Sequence, residues 1–191
     1  MALGSIAVMK NLDPQGRVIW ITGLSGTGKT TVAQAAVRCL RSQGVQPVLL
    51  DGDAVRAAIR DPHTGHDQAS RLDNGRRVCR LAKLLADQGH LVLVATMTLF
   101  SEIHRWNREH FPNYFEVYLK SDWQALVARD ARGLYSRFAQ GKASHVVGHD
   151  LDFDEPSNPD LVLHNNEPFT SPEILAGKIL NLITGRECNL K

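Results

Sequence analysis

The stretch Gly23-Leu24-Ser25-Gly26-Thr27-Gly28-Lys29-Thr30 constrains this chain more than any other. It satisfies G-x-x-x-x-G-K-[ST] at every position. Before it, Val18-Ile19-Trp20-Ile21 is an apolar run of strand length. After it, Thr31 to Leu40 sets Val32, Ala36, Val37 and Leu40 at helical spacing. A glycine-rich turn between strand and helix lets successive backbone N–H groups converge on an anion, and the helix N-terminus adds positive potential. The spacing implies a nucleoside-triphosphate site. Gly23 to Thr30 would wrap the phosphates and Thr31 would extend the set into the helix. Lys29 would reach the β- and γ-phosphates, and the Thr30 hydroxyl would hold Mg²⁺ beside ATP. The alternative is a ligand-free turn, which the agreement of loop and flanks disfavours. The loop leaves the phosphoryl acceptor open.

The chain has 191 residues, enough for one domain with a sizeable core. A net charge of +2 points to no nucleic-acid partner, and no apolar run approaches the ~20 residues that span a bilayer. Residues 1–15 read as a flexible leader without the basic start of a signal peptide, 16–185 as the domain, and 186–191 as a tail. Cys39, Cys79 and Cys188 are few and widely spaced, which suits a reducing cytoplasm and offers no zinc pattern.

Strand-like and helical runs alternate. Further strands are expected at Val45 to Leu50, Leu91 to Ala95, Tyr114 to Leu119 and Leu161 to Leu163. Helices are expected at Ala54 to Ile59, Arg71 to Gln88 (Val78, Leu81, Ala82, Leu84 and Leu85 inward), Glu102 to His110, from Asp122 as cap to Arg129, and from Pro172 through Ile183. The alternation predicts an α/β fold of three layers, a parallel sheet with helices on both faces, and ligands beyond the carboxyl ends of the strands. Gly133 to Pro159 lacks periodicity and reads as a lid bordered by Arg129, Arg132 and Arg137.

Asp51 and Asp53 end the second strand. One would orient or deprotonate an acceptor hydroxyl and the other would anchor Mg²⁺; Asp53 is alternatively the N-cap of the next helix. Arg56 follows by three. Arg71, Asn74 and Arg77 share a helix face suited to an anionic substrate and a base or hydroxyl edge, while Arg76 and Arg80 face solvent. An ordinary charged helix face is the alternative. His63, His66, His145 and His149 lack ligand spacing and read as polar lid residues, His66 being the substrate contact. Trp20, Trp106 and Trp123 read as packing residues, and Phe153 as packing the lid down.

Taken in order, these pieces resemble the adenylylsulfate kinase family over nearly the whole chain. They are the glycine loop, Leu50-Asp51-Gly52-Asp53 with Arg56, and Arg71, Asn74 and Arg77. Next come Leu81 to Gly89, Arg129-Asp130, Gly133-Leu134-Tyr135 and Asn158-Pro159-Asp160-Leu161-Val162-Leu163. The resemblance implies a P-loop NTPase fold, catalytic Lys29, Asp51 and Asp53, ATP contacts from the loop and Arg129, and Mg²⁺ at Thr30 and Asp51. It implies ATP-dependent phosphorylation of the ribose 3′-hydroxyl of a 5′-activated nucleotide, commonly by a homodimer.

The departures fall at the acceptor. Where the family has Gly-Phe-Ser this chain has Gly65-His66-Asp67; for Phe-Thr-Gly it has Val146-Val147-Gly148; for Ile-Ser-Pro-Tyr-Arg it has Met97-Thr98-Leu99-Phe100-Ser101. Both phenylalanines that stack on the family's adenine are gone, and stacking is worth roughly 1–3 kcal/mol per base. Thr98, Leu99, Val146 and Val147 then become acceptor contacts, and Thr98 carries a hydroxyl rather than a covalent role. Two acceptors are implied: adenylyl sulfate, or the cytidine diphosphoramidate of a related branch serving capsule assembly. A nucleotide-binding module without chemistry and a kinase of a non-nucleotide alcohol are the other classes. Retention of Lys29, Thr30, Asp51, Asp53 and Arg56 favours the enzyme.

Overall fold

The computed structural model describes residues 16–59, 65, 67–130, 133–166 and 168–184. The leader, the tail, His63, His66, Arg132 and Cys188 lie outside them. Five parallel strands, β1 (Arg17–Thr22), β2 (Val48–Asp51), β3 (Leu91–Ala95), β4 (Tyr114–Lys120) and β5 (Leu161–His164), form one sheet in the order β2-β3-β1-β4-β5. The continuous apolar runs of β1 and β3 follow from burial on both faces. Ile19, Ile21, Leu91 and Leu93 pack beneath α1 (Lys29–Ser42) and α7 (Pro172–Thr184). Their neighbours Val18, Trp20, Val92 and Val94 face α3 (Gln68–Ala86) and α4 (Ser101–His110). These layers are the expected fold. Among the described residues no helix is long and apolar enough to cross a membrane.

Several expected boundaries move for identifiable reasons. Helix α2 (Gly52–Ile59) starts before Ala54, because Asp51 Oδ1 accepts the N–H groups of Asp53 (3.0 Å) and Ala54 (3.2 Å). Asp51 rather than Asp53 is therefore the capping side chain. α3 starts ahead of Arg71, because the Asp67 carboxylate accepts the Ser70 hydroxyl (2.7 Å) and N–H (3.0 Å). Leu84, expected inward, is 59% exposed; Leu81 and Leu85 carry that stretch's contact with the core. Asp122 precedes α5 (Trp123–Arg129), but its carboxylate accepts from Asn166 Nδ2 (2.7 Å) instead of capping the helix. Cys39 and Cys79 are buried on helices as expected.

The stretch 133–159 is more ordered than its lack of periodicity suggests. It contains α6 (Leu134–Ala139) and a bridge from Val147 to Leu151. Asp130 accepts the Ser136 hydroxyl (2.6 Å) and the N–H groups of Tyr135 and Ser136 (3.0 and 2.9 Å). Asp150 accepts the N–H groups of His145 (2.7 Å) and Val146, and His145 itself sits at φ 61°. Val146, Tyr135 and Leu126 form a small apolar cluster with Leu24 packed against it, which seats the lid on the glycine loop.

Beneath α4 lies a buried polar network that sequence reasoning missed. Glu116, 2% exposed, accepts the Tyr114 hydroxyl (2.9 Å), lies 2.6 Å from His104 Nδ1 and pairs with Arg108 at 3.5 Å. Arg108 also pairs with Asp160 at 2.7 Å. Its only sequence signal is one carboxylate among the apolar residues of β4.

Candidate active site

A cleft of about 250 Å³ opens at the carboxyl ends of β1, β2 and β3. Ser25, Gly26, Gly28, Lys29, Thr30 and Thr31 line it on one side. Asp51, Asp53, Arg56, Arg71, Asn74, Thr96, Met97 and Thr98 line the other, and Arg129, Asp130, Leu134 and Tyr135 border it from the lid. Gly23, Leu24 and Thr27 shape the loop from behind. A Cβ on Gly23 would stand 2.2 Å from the Leu119 carbonyl oxygen, and buried Thr27 donates its hydroxyl to the Leu24 carbonyl (3.0 Å). Gly28, at φ 100°, takes the left-handed conformation immediately before α1.

Thr30 Oγ1 donates to Asp51 Oδ2 at 2.6 Å, so the first turn of α1 and the end of β2 meet at one point. A hydroxyl beside a carboxylate is the oxygen donor set that suits Mg²⁺, which takes few protein ligands and completes its shell with water and phosphate. Lys29 Nζ donates to the Leu24 carbonyl (2.7 Å), holding the ammonium over its own loop. Asp53 stands exposed in the first turn of α2 at the cleft edge.

The wall opposite the glycine loop carries Arg56 and Arg71 beside Asp51 and Asp53. Arg71 donates to the His145 carbonyl (3.1 Å), joining α3 to the lid. Burial first, then neighbouring Arg56, lowers its pKa below the ordinary guanidinium value, against the pull of Asp53, Asp67 and Asp150. Arg56 donates to the Gly65 carbonyl (2.9 Å). Asn74 is 5% exposed, and its Oδ1 has no hydrogen-bond partner among the described residues. A buried acceptor on a cleft wall suits a ligand donor. Thr98, 2% exposed, accepts from Trp20 Nε1 at 3.1 Å.

Beyond Arg71 and Met97 lies a narrow side cavity of about 10 Å³, walled by Gln68, Leu99, Phe100, Val147, Leu151, Asp152 and Phe153. Two expectations change here. Arg77 lies farther along α3 and does not line the cleft. Val146 is 1% exposed inside the lid cluster and lines neither cavity, whereas Val147 does. Trp123 is 41% exposed and packs edge-on against Tyr135, with His149 at 5.3 Å and Phe138 beyond it. His149 and Trp123 thus belong to the lid surface.

Sequence reasoning also missed three residues around the glycine loop. Asn165, just past β5, donates Nδ2 to the Thr27 carbonyl (2.9 Å), and its Oδ1 has no partner among the described residues. Tyr135 donates its hydroxyl to the Ser25 carbonyl (2.7 Å). The Phe169 ring lies 3.9 Å beneath the Arg129 guanidinium, whose Nη1 donates to the Gly26 carbonyl (2.7 Å). The available signal for Asn165 was its place at the carboxyl end of a strand.

The chain is similar to known proteins over most of its length. The profile of the adenylylsulphate kinase family matches residues 15–164. The chain is 39% identical over 149 residues to a cytidine diphosphoramidate kinase of Campylobacter jejuni, covering 78% of this chain and 86% of that protein. It is also 39% identical over 160 residues to an adenylyl-sulfate kinase of Bacillus pumilus, covering 83% and 80%. The fold superposes on the Mycobacterium tuberculosis APS kinase CysC, solved in complex with AMPPNP and APS, with TM-score 0.80 and 35% identity over 89% of this chain and 98% of that one. The chain is an ATP-dependent phosphotransferase belonging to the adenylylsulphate kinase family.

Proposed function

We propose that this kinase transfers the γ-phosphoryl group of ATP to the ribose 3′-hydroxyl of a 5′-activated nucleotide, with cytidine diphosphoramidate as the acceptor. The observation that carries the reaction is the joining of Thr30, Asp51 and Asp53 in one cleft with Arg56, Arg71 and Asn74. Phosphoryl transfer asks the protein chiefly to position groups and balance charge. The loop N–H groups and Lys29 would hold the β- and γ-phosphates, and Thr30 and Asp51 would hold Mg²⁺, which would supply positive charge against the triphosphate. Asp53 orients the acceptor hydroxyl. The new bond joins that oxygen to phosphorus, the bond to ADP breaks, and the hydroxyl proton leaves through Asp53. Arg56 and Arg71 meet the anionic 5′ group, and Asn74 supplies a buried acceptor to the sugar or base.

The choice of a pyrimidine rests on the acceptor pocket. Val146 stands where the family has an aromatic ring, and the side cavity walled by its neighbour Val147 measures only about 10 Å³. One observation favours adenylyl sulfate as a second reading: Phe100 and Phe153 both line that cavity, and a ring pair can stack on a purine. Steady-state kinetics with each acceptor decides between them. A kcat/KM for cytidine diphosphoramidate at least tenfold above that for adenylyl sulfate is expected, and the reverse order overturns the assignment. Lys29→Ala should abolish turnover with both; undiminished turnover would remove the phosphate loop from the mechanism.

A further inference from the structure

The rest of the molecule grips the glycine loop by its carbonyls. The Leu24 carbonyl accepts Lys29 Nζ and the Thr27 hydroxyl. The Ser25 carbonyl accepts Tyr135 Oη (2.7 Å), that of Gly26 accepts Arg129 Nη1 (2.7 Å), and that of Thr27 accepts Asn165 Nδ2 (2.9 Å). A trans peptide is planar, with its C=O and N–H directed oppositely. The Ser25 and Thr27 carbonyls, held outward, therefore direct the N–H groups of Gly26 and Gly28 toward the cleft, whereas the Thr27 N–H returns to the Leu24 carbonyl (3.4 Å). The donors come from three places: α6, the end of α5, and the residue after β5. The first belongs to the lid and the second borders it.

We infer that Tyr135 is a positioning residue for ATP: its hydroxyl, acting through the Ser25 carbonyl, holds the Gly26 N–H toward the triphosphate and so couples docking of the lid to phosphate binding. This rests on the reading of residues 23–30 as the phosphate loop. The Tyr135 ring is 5% exposed, packed with Leu126 and Val146 and edge-on to Trp123, so removing the hydroxyl alone leaves the lid's apolar seat in place. Burial, and then the Asp130 charge, push the hydroxyl pKa up to about 12, so it remains a donor at neutral pH. Coupling between two binding events is reciprocal. Whatever factor the hydroxyl adds to triphosphate affinity, the triphosphate returns to lid docking.

Tyr135→Phe in the full chain tests this. Calorimetric titration with Mg-ATP and with Mg-tripolyphosphate, which has no base, should show Kd rising about threefold to tenfold for both, the range of one neutral hydrogen bond. kcat at saturating ATP should stay within about twofold, as expected when a ground-state binding interaction is removed. Hydrogen exchange over residues 134–139 should slow when Mg-ATP binds wild type, and slow less in the variant. Kd values unchanged for both ligands overturn the inference, as does a loss confined to ATP, which would place the effect at the base. Wild type that binds neither ligand would instead overturn the phosphate-loop reading, and the inference with it. A Tyr135→Phe result without effect, beside normal wild-type binding, leaves that reading standing.

Discussion

Asp51 does several things with two oxygens. Oδ1 caps α2 and Oδ2 takes the Thr30 hydroxyl. That leaves Asp53, relieved of capping, as the carboxylate that can attend the acceptor. Asp53→Asn is expected to lower kcat by about 10²-fold or more, the usual worth of a positioned acid–base group, with Mg-ATP affinity within about twofold. Rapid-quench turnover alongside nucleotide titration measures both; an equal loss of affinity would assign Asp53 to ATP. The pair of aspartates is legible in the sequence because Asp-Gly-Asp closes an apolar run. Their division of labour is not, because it depends on which oxygen reaches the N–H groups of a helix whose start is itself set by that contact. Asn74 and Arg71 are legible by spacing. Arg77 shares that spacing and misses the cleft because it stands one helical turn farther from Arg71's end of α3.

Among the elements, the lid departs most from expectation. Its fixed points are carboxylates bonded to backbone N–H groups, which leave no hydrophobic period to read. The Ser136 hydroxyl foremost, with the Ser136 and Tyr135 N–H groups, holds Asp130 below the ordinary 3.8. Desolvation pushes Asp150 upward, but the His145 and Val146 N–H groups outweigh it and hold it below the same value. Carboxylates whose pKa is depressed on folding stabilise above their unfolded value and lose that contribution as pH falls through the folded value. The lid is therefore expected to be fully docked above about pH 4 and to open as the pH drops further. Hydrogen exchange over 134–151 between about pH 5 and about pH 2, corrected for intrinsic rates, should show this opening, and Asp150→Asn should blunt it. Helix α1, by contrast, is legible from its apolar spacing, because Val32, Ala36, Val37 and Leu40 bury one continuous stripe on the sheet.

At the scale of the whole molecule, burial on both faces explains why the central strands β1 and β3 were visible as continuous apolar runs, while the edge strands β2 and β5 are only partly buried. The exceptions are surfaces and buried charge. Leu84 faces outward from an otherwise apolar segment, and Glu116 faces inward from β4. Glu116 ties α4, β4 and the approach to β5 together through His104, Tyr114 and, through Arg108, Asp160. Removing one member of such a buried set leaves the others unpaired. Glu116→Ala should cost about 3–5 kcal/mol, lowering Tm by roughly 6–20 °C for a domain of this size. Calorimetry checks this, and a Tm within a few degrees of wild type would show that the network contributes little.

Gly23 opens the motif on which the site is built, yet the Leu119 carbonyl of the adjoining strand forbids a side chain there at 2.2 Å. Gly26 has room, its nearest outside atoms for an added Cβ lying at 3.7 Å, and answers only to a left-handed backbone at φ 82°. Two glycines of one loop are thus constrained differently, Gly23 by the neighbouring strand as well as by its backbone at φ 150°, Gly26 by backbone conformation alone. A lineage that abandoned nucleotides altogether would still be obliged to keep the first. Inactivity after Gly23→Ala would report a damaged scaffold, so mutational dissection of this loop is best begun at Lys29.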